Sequence, residues 1–197
     1  MATILQSLGR TIIAGIVLLI LLILIASSVA GAGPQMGHAW GAFFMRWLHV
    51  VSGIMWIGLL WYFNFVQIPS MPKIPDEQKP AIGKVIAPTA LFWFRYAALA
   101  TVVTGLLVAW MNGYLVDALG LRQPVHAIGI GMWIALVMAF NVWFIIWPNQ
   151  KKALGMVTVE PEEKAAAARL AMLTSRFNTM LSIPMLYMMV AQQNGGL

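Results

Sequence analysis

The sequence predicts an all-α, polytopic membrane helical bundle, and three observations lead to that class. The chain has 197 residues, of which 61% are hydrophobic and only 9% are charged. Its apolar residues gather into long runs of about 20 residues, the length that a helix needs to cross a bilayer. Its lysines and arginines lie in short segments beside those runs, as in membrane proteins. We therefore expect about five transmembrane helices and little extramembrane domain.

Five apolar segments are the candidate spans: Thr11–Ala32, Gly41–Val66, Pro88–Met111, Val125–Trp147 and Phe177–Val190. The fifth is short, which a tilt, a kink at Pro184 or shelter by neighbouring helices would explain. Before it, Glu162–Arg176 predicts an amphipathic surface helix, because acidic residues come first and basic residues follow. We expect residues 1–40 to form an N-terminal helix with an outer loop, and residues 41–197 to form a four-helix membrane bundle.

The distribution of charge predicts the orientation of the chain. With a cytoplasmic N-terminus, most of the lysines and arginines face the inside, whereas Arg46 and Arg122 lie toward the outside. We therefore expect an N-in/C-out protein of the bacterial inner membrane. The net charge of +6 is explained by these loops, so the lipid bilayer rather than nucleic acid is the expected partner.

The chain contains an internal repeat. Residues 49–64, HVVSGIMWIGLLWYFN, align without a gap with residues 126–141, HAIGIGMWIALVMAFN. Seven of the 16 positions are identical, among them His49/His126 and Asn64/Asn141. Shared apolar composition alone accounts for fewer matches than this. Duplication of a two-helix unit would place the two histidines at similar depth in parallel spans.

These paired residues suggest a haem b site. Because the chain has no cysteine, iron–sulfur clusters and covalently attached haem are excluded, and a redox centre must use His or Met. A haem between two spans needs axial ligands, small residues beside the porphyrin, aromatic packing and cations for the propionates. The candidates are His49 and His126 as ligands, Gly53 and Gly129 (or Gly131) for space, Trp56 and Trp133 for packing, and Arg46 and Arg122 for the propionates.

Other interpretations of these residues stand beside this one. A histidine inside a membrane span is more often hydrogen-bonded to a neighbouring helix than bound to metal. Tryptophans are enriched at membrane interfaces whatever the function. Arg95 is expected to snorkel to the inner interface, with a charge partner inside the bundle as the alternative. Asn64 and Asn141 more often join helices by amide hydrogen bonds than bind a substrate.

Three strings carry a family resemblance: LHVVSGIMWIGLLWYFNFVQIP, NVWFIIWPNQKK and SRFNTMLSIPMLYMM. Here the chain resembles the membrane domain of the bacterial urate oxidase (urate hydroxylase) family, whose longer members add a C-terminal cytochrome c. Its His and Trp-Ile-Gly pattern is also similar to haem-b membrane proteins such as the haem-linked protoporphyrinogen oxidase. The chain lacks a CxxCH motif, so it corresponds to a short form without the cytochrome, and Phe177 stands where the family tends to have His.

Three functions follow from these observations. The first is a haem-b-binding membrane protein that serves electron transfer or assembly of a redox complex, with a larger membrane complex or a cytochrome as partner. The second is a cofactor-free accessory subunit of a respiratory or photosynthetic complex. The third is a membrane oxidoreductase acting on urate or another purine with a separate cytochrome. Known catalytic motifs are missing and the spans carry no carboxylate, so we lean against an enzyme and against an ion-coupled transporter.

Overall fold

The computed structural model describes residues 2–196, which form helices and connecting loops without a strand. The main helices are α1 Leu8–Ala30, α2 His38–Trp61, α3 Ala87–Met111, α4 Leu115–Leu119, α5 His126–Phe140, α6 Trp147–Ala153 and α7 Pro161–Asn194. Shorter helical turns are Ala2–Leu5, Ile68–Ser70, Met71–Lys73 and Lys79–Ala81. The chain divides into two compact units, one up to Gly41 and one from Ala42 onward. The prediction of an all-α fold is confirmed.

Four helical runs in the described part of the chain are long and apolar enough to cross a membrane. They are Leu8–Ala30, His38–Lys73, Lys79–Met111 and His126–Ala153. These four match the first four predicted spans and are consistent with a multi-pass membrane protein. The fifth span and the N-in/C-out orientation stay predictions.

The fifth predicted segment differs in form from the expectation. Glu162–Arg176 and Phe177–Val190 are not a surface helix followed by a span, because both belong to the single helix α7. Pro184 lies inside α7 without ending it. A proline removes one backbone hydrogen bond from a helix interior, and here the buried neighbours Ser182 and Met185 hold the helix in place by packing.

Helix α7 runs antiparallel to α5. Near its C-terminal end, the Gln192 amide donates to the Pro124 carbonyl at 2.7 Å, just before α5 begins. At the opposite end, the Lys152 amine at the end of α6 donates to the Glu163 carboxylate at 2.6 Å. The two ends of α7 therefore lie beside the two ends of the span that contains α5 and α6.

Both copies of the sequence repeat end in π-helical turns. Tyr62–Gln67 follows α2, and Asn141–Ile146 follows α5. Each copy also fixes its asparagine to α7. Asn64 donates to the Ser175 hydroxyl and Asn141 to the Asn178 side-chain oxygen, both at 2.8 Å. In this region the two copies are therefore similar in structure as well as in sequence, and their asparagines join helices as expected.

The core of the second unit lies where α2, α3, α5 and α7 pack together. Trp56, Leu60, Phe94 and Met138 are almost completely shielded from solvent. The Phe94 ring meets the Phe63 ring edge to face, with centroids 5.7 Å apart. Because lipid tails are as apolar as these side chains, close van der Waals packing in this cluster holds the four helices around the cavity described next.

Candidate functional site

A cavity of about 630 Å³ opens between α2, α3, α5 and α7. Its volume lies within the range of about 300–1,000 Å³ that is typical of sites for small molecules and cofactors. The walls are mostly apolar side chains, among them Ile57, Val108, Ile128 and Leu186. A small number of polar groups interrupt these walls, and they determine what the cavity is able to bind.

His49 is the imidazole side chain that α2 places in this cavity. Its Nδ1 lies 2.8 Å from the carbonyl oxygen of Thr101 on α3. Because a carbonyl only accepts hydrogen bonds, Nδ1 carries the proton and donates, and in the neutral ring Nε2 keeps a free lone pair. A backbone carbonyl on the second ring nitrogen is the usual support of a metal-bound histidine. The ring is therefore oriented and in the tautomer that ligates through Nε2.

The backbone of α3 comes close to the His49 ring because residue 105 is glycine. A Cβ atom at Gly105 would lie 2.7 Å from Cε1 and 3.0 Å from Nδ1 of His49. Such distances are shorter than van der Waals contact, so only glycine leaves room for the imidazole here. The Thr104 hydroxyl approaches Nδ1 at 3.4 Å and donates at 2.6 Å to the Ala100 carbonyl. One turn of α3, from Thr101 to Gly105, thus forms the seat of the ring.

Four of the predicted site residues lie on one stripe of α2 and all line the cavity: Arg46, His49, Gly53 and Trp56. The spacing of three or four residues places them on the same helix face. Trp56 is fully buried, and its Nε1 has no hydrogen-bond partner among the described residues. Along α2 the cavity is therefore lined in turn by a guanidinium, an imidazole, the open space beside a glycine and an indole.

Arg46 shares its part of the cavity with Tyr114, which follows α3. Burial raises the pKa of the Tyr114 phenol above its usual value, and the positive charge of Arg46 opposes that rise. The phenol therefore stays neutral and able to donate a hydrogen bond at neutral pH. Gln193 and Asn194, at the end of α7, also line the cavity. These groups suit a ligand with one polar or anionic end.

The structure does not bring the other four predicted site residues to this cavity. Arg122 pairs with the Asp117 carboxylate at 3.1 Å and is exposed. Trp133 is half-exposed, and its Nε1 donates to the Leu119 carbonyl at 3.0 Å. The space beside Gly129 is occupied by α4 and not by a cavity, since a Cβ at Gly129 would collide with the Ala118 carbonyl oxygen. The alternative Gly131 packs against Met188 and Met189 of α7.

His126 also lies apart from the cavity. Its Nδ1 is shielded from solvent and has no hydrogen-bond partner in the described chain. The residues of α5 that line the cavity are Ile128, Met132, Ala135 and Leu136. At about 100° per residue, Ile128 is rotated by about 200° from His126, so the two lie on nearly opposite faces of α5. The two histidines therefore do not face one another across a common cavity, contrary to the expectation from the repeat.

The reason for this difference is the short helix α4. It packs against α5 through a small apolar cluster of Ala109, Ala118, Ile128 and Met132. The turn before α5 then fixes the rotation of the helix about its axis. The first repeat copy begins differently, because His49 lies in the interior of α2, whereas His126 is the first residue of α5. Equal sequence spacing therefore gives different partners in the two copies.

Several residues of the site were not anticipated from the sequence. Thr101, Thr104 and Gly105 seat the His49 ring, and Met132, Met185 and Met189 line the cavity from α5 and α7. The string TVVTG does carry a signal, because small and hydroxyl residues in an apolar span mark the close approach of another helix. The methionines carry none, since they fill gaps in most cores. Within the described chain, no group of three His, Asp or Glu side chains is placed to hold a metal ion.

Comparison with known proteins relates part of the chain to one family. Residues 122–195 match the family model described as urate oxidase, N-terminal. The match covers less than half of the chain, from the turn before α5 to the end of α7, and supports a urate oxidase-like family relation. No curated protein and no solved structure matches the chain. The matched region contributes two walls of the cavity, whereas His49 and its seat on α3 lie outside it.

Proposed function

We propose that this urate oxidase-like membrane protein binds haem b in the cavity through His49 and serves electron transfer or the assembly of a redox complex in the bacterial inner membrane. The observation that carries the proposal is the hydrogen bond from His49 Nδ1 to the Thr101 carbonyl at 2.8 Å. It fixes the ring and leaves Nε2 available inside a mostly apolar cavity.

The other residues of the cavity fit such a group. Arg46 supplies a cation for a propionate, and Tyr114 supplies a hydrogen-bond donor beside it. Gly53 leaves space on the α2 side, where a Cβ would have Thr101 as its nearest neighbour at 3.9 Å. Three methionines, Met132, Met185 and Met189, line the opposite walls. A methionine thioether is able to ligate haem iron.

When bound, haem would supply a one-electron redox centre inside the bilayer. The chain's own contribution would be to orient one ligand, to pair a cation with the propionates and to exclude water through apolar walls. The polarity of the residues around the cavity would tune the potential of the group. His126, the predicted partner of His49, stays a prediction as a ligand, and its place on the far face of α5 favours a ligand from another residue.

The test is a visible spectrum of the purified protein, reduced minus oxidised, with the haem content measured as the pyridine adduct. We expect a haem b spectrum in the wild type and its loss in His49→Ala. His126→Ala is the matched control, and we expect it to keep its haem. A stable, colourless wild-type protein produced with ample haem would contradict the proposal.

Two other functions have specific support. The α1 helix has no buried residue, which suits a cofactor-free accessory subunit that offers apolar surface to a larger membrane complex. A colourless protein that co-purifies with such a complex would favour this function. The family match favours a membrane oxidoreductase acting on urate or a related purine with a separate cytochrome. Consumption of urate only when a soluble cytochrome c is added would support that activity.

A further inference from the structure

Arg95 is a charged residue inside the apolar span Lys79–Met111. Its Nε and Nη1 are shielded from solvent and have no hydrogen-bond partner among the described residues. The ion pairs of the described chain are Lys79–Asp76, Arg122–Asp117 and Lys152–Glu163, and they leave Arg95 without a carboxylate. A shielded donor without an acceptor destabilises the fold, and more so when it is charged.

In the described chain the rings of Tyr96, Trp143 and Trp147 lie closest around the Arg95 guanidinium, and none of them accepts a hydrogen bond from its shielded Nε or Nη1. Its Cζ lies 3.2 Å from the centroid of the Trp147 ring, which places the guanidinium on the face of the indole. The Trp143 ring is 5.9 Å away, and its Nε1 is also shielded and unpartnered. The Lys151 amine lies 5.6 Å from the same Trp147 ring. The contact with the indole face stabilises the cation but leaves the N–H groups at the edge of the guanidinium without a partner.

We propose that Arg95, which contacts the Trp143 and Trp147 rings, and Lys151, which lies over the same Trp147 ring, bind an oxyanion of the phosphate type together with the Trp143 indole N–H. A group with several acceptor oxygens and a negative charge satisfies both cations and the indole N–H at once. The position agrees with this ligand, because Trp147 lies six residues before Ala153, the end of its span, or about 9 Å along the helix. That depth is where lipid phosphates and interfacial tryptophans meet. The phosphate belongs either to an anionic phospholipid headgroup or to a soluble anion.

The experiment uses the full chain in vesicles of phosphatidylcholine, with or without phosphatidylglycerol, and a separate series in inorganic phosphate at constant ionic strength. Binding is followed by native mass spectrometry and by the midpoint of thermal unfolding, which rises when a ligand binds only the folded state. Lys151→Gln is the main variant, because its side chain lies at the end of a helix and its loss should leave the bundle folded. Lys152→Gln is the matched control, since Lys152 already pairs with Glu163.

We expect the wild type to retain phosphatidylglycerol or phosphate, with affinity about tenfold weaker in Lys151→Gln, as the loss of one charge-assisted hydrogen bond predicts. Arg95→Gln should abolish binding where it folds, and Arg95→Lys should restore part of it. Stabilisation by the lipid but not by free phosphate assigns a headgroup site, and the reverse assigns a soluble anion. Equal behaviour of the Lys151 and Lys152 variants, or no binding of either probe, would overturn the proposal. None of these outcomes depends on haem.

Discussion

The imidazole of His49 sits against α3 because residue 105 has no side chain, and this dependence can be tested directly. In Gly105→Ala the new Cβ would lie 2.7 Å from His49 Cε1, so the ring must move away from the Thr101 carbonyl. We expect the free energy of unfolding to fall by about 1–3 kcal/mol, as in other overpacked cores. We also expect the retained haem to fall markedly, measured as the pyridine adduct after purification.

Gly53→Ala is the matched control for that substitution. Gly53 lines the same cavity, but a Cβ there would be 3.9 Å from Thr101 Cγ2, which is ordinary van der Waals contact. It should leave stability nearly unchanged. The comparison is of stability alone, because Gly53 also leaves space in the cavity; an equal fall in the free energy of unfolding in both variants would show that the close approach of His49 to Gly105 does not constrain the ring.

The sequence identified some site residues and not others for a physical reason. The stripe Arg46, His49, Gly53 and Trp56 was predictable because residues three or four apart share a helix face whatever packs against it. The rotation of α5 was not, since it depends on α4 and on long-range packing that the repeat does not encode. A glycine such as Gly129 looks the same in the sequence whether a cofactor or a neighbouring helix occupies its space.

Among the helix contacts, the crossing of α4 and α5 depends on Gly129. A Cβ at this position would collide with the Ala118 carbonyl oxygen, which is backbone and cannot turn aside. Gly129→Ala should therefore lower the free energy of unfolding by at least about 2 kcal/mol, measured by unfolding in detergent. Gly58→Ala is the comparison, because nothing lies within 4 Å of its added Cβ. An equal loss of stability in both variants would show that α4 and α5 are not in close contact at Gly129.

The contact between α5 and α7 is specified by a buried asparagine. Asn178 accepts a hydrogen bond from Asn141 at 2.8 Å and donates to the Met138 carbonyl at 2.9 Å. Asn178→Leu would leave the shielded Asn141 amide without its acceptor, at a cost of about 1–3 kcal/mol, whereas the Met138 carbonyl would still accept the backbone N–H of Asn141. The thermal midpoint should fall clearly. Asn149→Leu is the control, because Asn149 donates only to the Ile145 carbonyl of its own helical run, and a similar fall there would argue against the inter-helix bond.

At the scale of the whole molecule, hydropathy predicted the first four spans well and α7 poorly. The four long apolar runs were recognisable because their composition alone identifies them. In α7, exposed apolar residues alternate with polar ones. The polar residues Ser175, Asn178 and Ser182 are all buried against other helices. Neighbouring helices shelter these polar groups, so mean hydropathy alone does not identify α7 as the predicted fifth span.

The absence of cysteine makes the orientation of the chain measurable without background. Glu77 is exposed in the loop before the span Lys79–Met111, Val116 is exposed in the short helix α4 after that span, and Asn194 is exposed at the end of α7. Single cysteines at these positions are labelled by a membrane-impermeant maleimide only on the accessible side. With N-in/C-out topology and five spans, E77C should react from the cytoplasmic side, and V116C and N194C from the outer side. Because Gln192 bonds the Pro124 carbonyl, the ends of α4 and α7 must lie on one side of the bilayer. Labelling of N194C together with E77C would therefore contradict the packing of α7 on α5, and not only the predicted orientation.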